Sequence, residues 1–374
     1  MRKFKRIFRT VPDPRADNAW HSLPEVLFIA LAAVLCGAES FTDMEEFGKA
    51  KEDLLRQILP LKHGIPSHDT FNNVFRALDP QALGEALRRF TSAIANNIGL
   101  ALTGVVAIDG KALRGAYERG RSSTPLHMVN VWAAGARLVL AQCKAPGRNE
   151  ALGALEVLSF LRLNGCIVTA DALHCHRAFA LKVLSQGANY VLALKENQSA
   201  LFADGERLFR RPHNRSVAEQ FEPSTHDRRE RRRAVVIRDR TLAIKHKFPG
   251  IVAVARVSCR RKPNGKRSER IVRYFLLSKY MPAKRLLAVT RTHWSIENQM
   301  HWVLDVVFEE DGNRARKDNA PENLAIVRGL ALNKCARIPA PYQCAGKSSE
   351  RAGIMPFSSV CWAKCDSPAR RGRD

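Results

Sequence analysis

The chain has 374 residues, 45% of them hydrophobic, and a formal net charge of +25. That length accommodates two domains, or one large domain with an appendage, around a sizeable core. The charge points to a polyanionic partner, with nucleic acid favoured over a merely solvated basic surface, because clustered cations gain affinity by releasing phosphate counterions. The most apolar run, Val26 to Cys36, is too short to cross a bilayer and reads as a core helix. The basic start is not followed by an apolar stretch with a small-residue cleavage site, so it does not read as a secretory leader. Nine cysteines form no Cys-x-x-Cys pair, which argues against a zinc site and fits a reduced cytoplasm.

The first hundred residues read as helical. Residues 23–38 and 41–60 suit two amphipathic or buried helices broken at Gly37-Ala38-Glu39-Ser40. The capping run Ser67-His68-Asp69-Thr70 opens a third helix, Phe71 to Leu78, stopped by Asp79-Pro80, and a fourth runs from about Pro80 to Ile98. No diagnostic helix-turn-helix signature is present. From Gly104 the pattern changes. Val105 to Ile108 is a short apolar strand ending in Asp109-Gly110-Lys111, and Met128–Ala134 with Arg137–Lys144 suits a hairpin. A helix from Glu150 to Leu163 precedes a strand, Cys166 to Thr169, that ends in Asp171. A helix (177–186), a strand (190–194) and a helix (198–210) follow.

Residues 206–275 hold 21 Lys and Arg against 7 Asp and Glu. They are mostly strand-like, around Val235–Ile237, Ile251–Val257 and Ile271–Leu277. Arg228, Arg231, Arg232, Arg233, Arg260, Arg261 and Lys262 are the candidate DNA-binding residues there. Helices return from Ala283, through a segment that sets Glu297, Asp305, Glu309, Glu310 and Asp311 among apolar residues, and again from Pro321 to about Cys335. Burying such acids is costly without a cation, either an arginine or a metal. The order of elements describes an α/β domain, with a basic strand-rich insertion before its last helices.

Two aspartates at the ends of adjacent strands, Asp109 and Asp171, with Glu297 reaching in from a helix, would suit phosphodiester chemistry. Two divalent ions about 3.5–4 Å apart activate the attacking oxygen and stabilise the leaving one. Magnesium takes hard oxygen ligands and keeps several waters, so about three carboxylates suffice. Taken singly, each aspartate reads better as a turn or helix cap, and Glu297 as an ion-pair partner of an arginine. The case rests on all three together in a basic chain. His174-Cys175-His176 is a weaker, transition-metal alternative. His293 and His301 suit either support of the acids and DNA contact, or packing beside Trp294 and Trp302. No phosphate loop, nucleophile elbow or dinucleotide fingerprint occurs.

Several blocks in order resemble the DDE transposases of bacterial insertion sequences, most closely the H-repeat-associated subgroup. They include Asp13-Pro14-Arg15 with His21, Leu35-Cys36-Gly37-Ala38-Glu39-Ser40-Phe41, Gly64 to Phe71, Ile108-Asp109-Gly110-Lys111 with Arg114-Gly115, Thr169 to His174, Leu194 to Gln198, and His293 to Asn298 with His301 to Val306. The resemblance covers about residues 11–335. It implies a ribonuclease-H-like catalytic domain over 99–338 with a β-rich insertion at about 211–282, preceded by a small all-helical domain over 1–98. It implies Asp109, Asp171 and Glu297 as catalytic and metal-binding residues, with Lys111, His174, His293 and His301 as possible supports. Two Mg2+ ions, or Mn2+, would be the cofactors, and double-stranded DNA the partner of a homodimer.

The wider group often carries Tyr-x2-Arg-x3-Glu-x6-Lys around the glutamate. Here His293 stands in the arginine position and Leu304 in the lysine position. A metal-dependent nuclease, or a DNA-binding protein without catalysis, are the rival functions. Residues 339–374 lack the basic, Leu-rich ending and any apolar period, and with Cys335 they hold four of the nine cysteines. They read as a disordered tail left by a shifted reading frame, or as a genuine extension.

Overall fold

The computed structural model describes residues 2–17, 19–97, 104–117, 125–210, 214–222, 229–262 and 269–335. Six helices come first: α1 (Arg2–Phe8), α2 (Leu23–Leu35), α3 (Phe41–Ala50), α4 (Glu52–Arg56), α5 (His68–Ala77) and α6 (Pro80–Asn97). The capping run at Ser67 behaves as the sequence predicts: the Ser67 hydroxyl accepts from the Thr70 amide at 3.2 Å to open α5. Ser40 and Asp43, not foreseen as a cap, form a reciprocal capping box on α3. Gly37, at φ +96°, supplies the left-handed turn that ends α2. Two differences stand out. The expected single helix over 41–60 breaks at Lys51, and α1 has no counterpart in the prediction. Its basic sequence hides a buried stripe, Phe4, Ile7 and Phe8, with Phe4 and Phe8 stacked at 4.1 Å between ring centroids.

One nine-stranded sheet runs through the rest, in the order β3-β2-β1-β4-β5-β9-β8-β7-β6. Strands β1 (Val105–Tyr117), β2 (Pro125–Ala133) and β3 (Leu138–Lys144) form an antiparallel meander. Helix α7 (Glu150–Ser159) leads to β4 (Ile167–Ala170), parallel to β1, and α8 (Arg177–Ser185) leads to β5 (Asn189–Leu194), parallel to β4. After α9 (Ser199–Leu208) the basic insertion folds as four antiparallel strands: β6 (Arg215–Glu222), β7 (Arg229–Arg238), then past α10 (Thr241–Lys245) to β8 (Ala253–Lys262) and β9 (Glu269–Leu277). Strand β9 pairs antiparallel with β5, so the insertion prolongs the sheet instead of forming a separate body. Sequence reading found three of its strands and missed β6, whose Arg, Glu and Gln residues conceal the period-2 pattern.

The described residues close with α11 (Ala283–His293), a π-helical turn (Ile296–His301), α12 (Trp302–Val306) and α13 (Ala320–Cys335). A shared apolar cluster joins α1, α2, α5 and α6 to α13 and to Ala107, Trp132 and Val139 of the sheet. Buried asparagines reinforce that joint. Asn323 donates to the Phe75 and Leu78 carbonyls at 2.8 Å, and Asn333 both donates to and accepts from the Val139 backbone. A second cluster fills the opposite face under α7, α8 and α9, and a third lies between α11 and the inner insertion strands. Among the described residues, no helix is long and apolar enough to cross a membrane. The tail over 339–374 lies outside the described residues.

Candidate active site

Side chains alternate along β1, so Asp109 and Lys111 share the face that carries Ala107 and looks toward the C-terminal helices. Strand β4 lies in parallel register beside it, with Ile108 opposite Ala170, which sets Asp171 level with Asp109. One expectation needs correcting. Asp109 is not at a strand end: β1 continues to Tyr117, because β2 pairs with it through Lys111↔Met128 and Leu113↔Leu126. Asp171 does follow the last residue of β4. It also caps a short turn by accepting from the Leu173 amide at 3.0 Å.

The third acid comes from the π turn. Ile296, Met300, Leu304 and Phe308, four apart, are all buried in the core, and this spacing fixes how the segment is rolled. The next stripe, Glu297, His301 and Asp305, is therefore turned alongside β1. His301 Nδ1 stands 3.8 Å from Asp109 Oδ2, and its Nε2 accepts from Asn130 Nδ2 at 3.2 Å. Asn130 in turn accepts from Gln142 Nε2 at 2.9 Å. An amide nitrogen can only donate, so the neutral ring carries its proton on Nδ1, facing Asp109. Asp305 and Glu310 each lie 2.6 Å from Lys111 Nζ, and Asp311 lies 3.7 Å away. Gly115 lets the 311–313 loop approach: a Cβ there would sit 2.3 Å from the Asn313 carbonyl oxygen.

Burial, with Asp171 and Glu297 as neighbouring negative charges, pushes the Asp109 carboxyl up to about 7. Burial also raises Glu297, opposed by the positive charge of Arg273. Glu297 itself is exposed and, among the described residues, forms no ion pair, so the arginine partner expected for it is not in contact. Burial holds His293 and His301 down to about 4, so both are neutral at physiological pH. His293 Nδ1 lies 3.0 Å from the Thr169 hydroxyl. Lys111 is also buried, which alone would depress it, but Glu310 and Asp305 reverse the sign and leave it raised. Among the described residues no three His, Cys, Asp or Glu groups stand close enough to hold a metal ion. The donor set is nonetheless of the right kind: three carboxylates with the hard oxygens a divalent cation takes, two of which disfavour the ionisation of Asp109.

Two family models match the chain: "DDE_Tnp_1-associated" over residues 5–91 and "Transposase DDE domain" over residues 101–334. The chain belongs to the DDE transposase family. Its relatives include the H repeat-associated putative transposase YhhI of Escherichia coli K12, 31% identical over 89% of this chain and 90% of that protein. Putative protein YbfL of the same strain is 32% identical over 89% and 90%. Putative transposase YncI of E. coli O157:H7 is 31% identical over 86% and 84%. Among solved structures, the piggyBac transposase synaptic complex with hairpin DNA superposes at TM-score 0.42 and 14% identity, covering 89% of this chain and 73% of that one. The DDE family in general uses divalent metal ions.

The remaining predicted residues of this transposase fall into place unevenly. His174 and Cys175 are buried, and the His176 ring accepts from the Phe179 amide as the cap of α8, so the three do not line one strand face. Arg228 lies outside the described residues. Arg231 and Arg233 share one face of β7 and both pair with Glu219, at 2.5 and 3.4 Å. Arg260, directly opposite Arg231 on β8, is exposed on that same face. Arg232 points to the other face and pairs with Glu230. The expected triple patch is therefore split between two faces. Arg261 and Lys262 extend β8 beyond Arg260. Asn130, Gln142 and Arg273 were not foreseen, since a polar residue inside a strand gives no local sign of its cross-chain partner.

Proposed function

We propose that the protein is a DNA transposase that cuts the ends of its insertion sequence and joins the freed 3′ hydroxyl to target DNA, on a ribonuclease-H-like core. What supports this reading is that Asp109 feels the negative charges of both Asp171 and Glu297. The three come from β1, the end of β4 and the π turn; burial, and after it the charges of Asp171 and Glu297, push the Asp109 carboxyl up to about 7. A carboxyl perturbed in this way is what a site serving a cation would show, because a bound cation offsets the neighbouring negative charges. Asp109, Asp171 and Glu297 would hold two Mg2+ ions, or Mn2+ in their place, and these would supply Lewis-acid activation of the attacking and leaving oxygens.

The protein's own groups do the positioning. Asn130 fixes the His301 tautomer so that its Nδ1 proton faces Asp109 Oδ2. Lys111 ties α12 and the following loop to β1, so the strand bearing Asp109 and the helix following Glu297 keep their spacing. The basic insertion contributes sequence-independent affinity for double-stranded DNA in a cytoplasmic, nucleoid-bound homodimer.

Asp109→Ala, Asp171→Ala and Glu297→Ala should each abolish cleavage and joining of labelled element ends in Mg2+ or Mn2+ while leaving DNA binding largely intact. Near-normal strand transfer by Glu297→Gln, with loss in Asp305→Asn, would overturn the assignment of the third acid. Specific binding by the unmodified protein without cleavage in either metal would instead support a non-catalytic DNA-binding protein. Cleavage without joining would indicate a nuclease.

A further inference from the structure

The acids of the candidate site repel the DNA that the proposed reaction must bring to them, so a cation is needed close to Glu297. The helical segment does not supply one in the positions where the wider family carries Arg and Lys. His293 is neutral there, and Leu304 is buried in the core. The basic insertion does.

Arg273, on β9, is exposed, and its guanidinium lies 4.8 Å from the ring centroid of Trp294, between His293 and the π turn. The Trp294 face holds the cation by its quadrupole without neutralising it. Arg273 differs in this from its neighbours. Arg231 and Arg233 are paired with Glu219, and Arg232 with Glu230, whereas among the described residues Arg273 has no ion pair. Its orientation differs as well. Arg273 sits opposite Val257, on the sheet face packed by α11, while Arg231, Arg233 and Arg260 occupy the opposite face. Its charge is felt by both His293 and Glu297.

We propose that Arg273, shelved on Trp294, grips a backbone phosphate of the DNA strand that enters beside Glu297. A planar guanidinium with free N–H donors suits bidentate phosphate contact, and stacking fixes its plane beforehand. The role is one of substrate binding, supplied from the last strand of the insertion. It rests on the transposase reading above.

The test uses the full-length protein and short duplexes tiling the DNA on either side of the gene, with a random-sequence duplex as control. Binding is measured without metal across a salt series, and cleavage in Mg2+ and Mn2+. Arg273→Gln should weaken binding to the flanking duplex about tenfold, the scale of one charge-assisted contact. It should also reduce the slope of log affinity against log salt by about 1, as expected for one lost phosphate contact. Arg273→Lys should keep the slope while losing part of the affinity, and Trp294→Leu should behave likewise. An Arg273→Gln protein with unchanged affinity and slope overturns the proposal, even if cleavage falls, since a structural role would leave the salt slope alone. If the unmodified protein treats flanking and random duplexes alike and cleaves neither, the transposase reading itself fails, and this contact with it.

Discussion

The molecule pairs charges in two regions, and they work differently. Around Lys111, one ammonium with 7% of its side chain exposed meets Asp305 and a Glu310 carboxylate with 1% exposed. On β7, Arg231 and Arg233 meet Glu219 with about half of each arginine in solvent, at 50% and 53%. The chemistry of the pairs is similar, but the surroundings reverse their meaning. Lys111 and Glu310 are shielded from solvent, so each depends on the other, whereas on β7 solvent and salt compete for every guanidinium. The buried cluster therefore fixes geometry, and the exposed ladder leaves cations available to exchange Glu219 for phosphate.

The largest effect should follow from breaking the buried cluster. Lys111→Met strands the buried Glu310 carboxylate and unpairs the partly exposed Asp305, and should cost about 3–5 kcal/mol, seen as a clear fall in Tm. Adding Glu310→Leu should recover part of the loss, since an apolar replacement removes one stranded charge. A Lys111→Met protein as stable as the parent would show that the cluster is not holding the π turn to the sheet.

Next in size is the pH dependence of the metal-free protein. Asp109 titrates near its ordinary value when unfolded and at about 7 when folded. The folded state thus binds the proton more tightly, and its contribution is complete below pH 4 and lost as pH rises toward 7. The change is about 4 kcal/mol. Chelated wild-type protein should lose that stability across this window, and Asp109→Asn should not. Parallel stability curves for the two proteins would remove the repulsion argued for the acids.

Smaller effects belong to the exposed ladder. Replacing Arg231, Arg232 and Arg233 together by Gln should leave Tm nearly unchanged while weakening DNA binding across sequences and flattening its salt dependence. The split between faces sharpens this. Arg231→Gln with Arg233→Gln should account for most of the change in slope, and Arg232→Gln alone for little, because it lies on the other face beside Glu230. The smallest effect is Glu219→Gln, which frees two guanidiniums and should tighten DNA binding slightly without altering Tm. Weaker binding in that variant would mean that Glu219 organises the arginines for DNA instead of competing with it.

Much of the fold is legible in the sequence because its signals are local. Capping residues mark α5, the hairpin at Gly135-Ala136 shows in its flanking strands, and the βα alternation from 150 to 208 follows hydrophobic periods. The proposed acids can be picked out only as a set, since each aspartate alone reads as a cap and Glu297 as an ion-pair partner, and Asp171 does serve as a cap. What escaped prediction depends on distant pairing. The extension of β1 past Asp109 is dictated by β2, and a glycine at 110 conceals it locally. Strand β6 exists because β7 pairs with it along its length. The contacts of Lys111 with Glu310 and of Arg273 with Trp294 join residues far apart in the chain.

The placement of β9 has a mechanical consequence. This strand is stitched to β5 on one side and β8 on the other, and only residues 278–282 separate it from α11, whose end adjoins the π turn. A load applied to the outer strands of the insertion is passed along a stiff strut to the helix that leads into Glu297, with little slack to absorb it. If the insertion grips DNA as proposed, tension in that strand would reach the turn bearing Glu297 through β9 and α11.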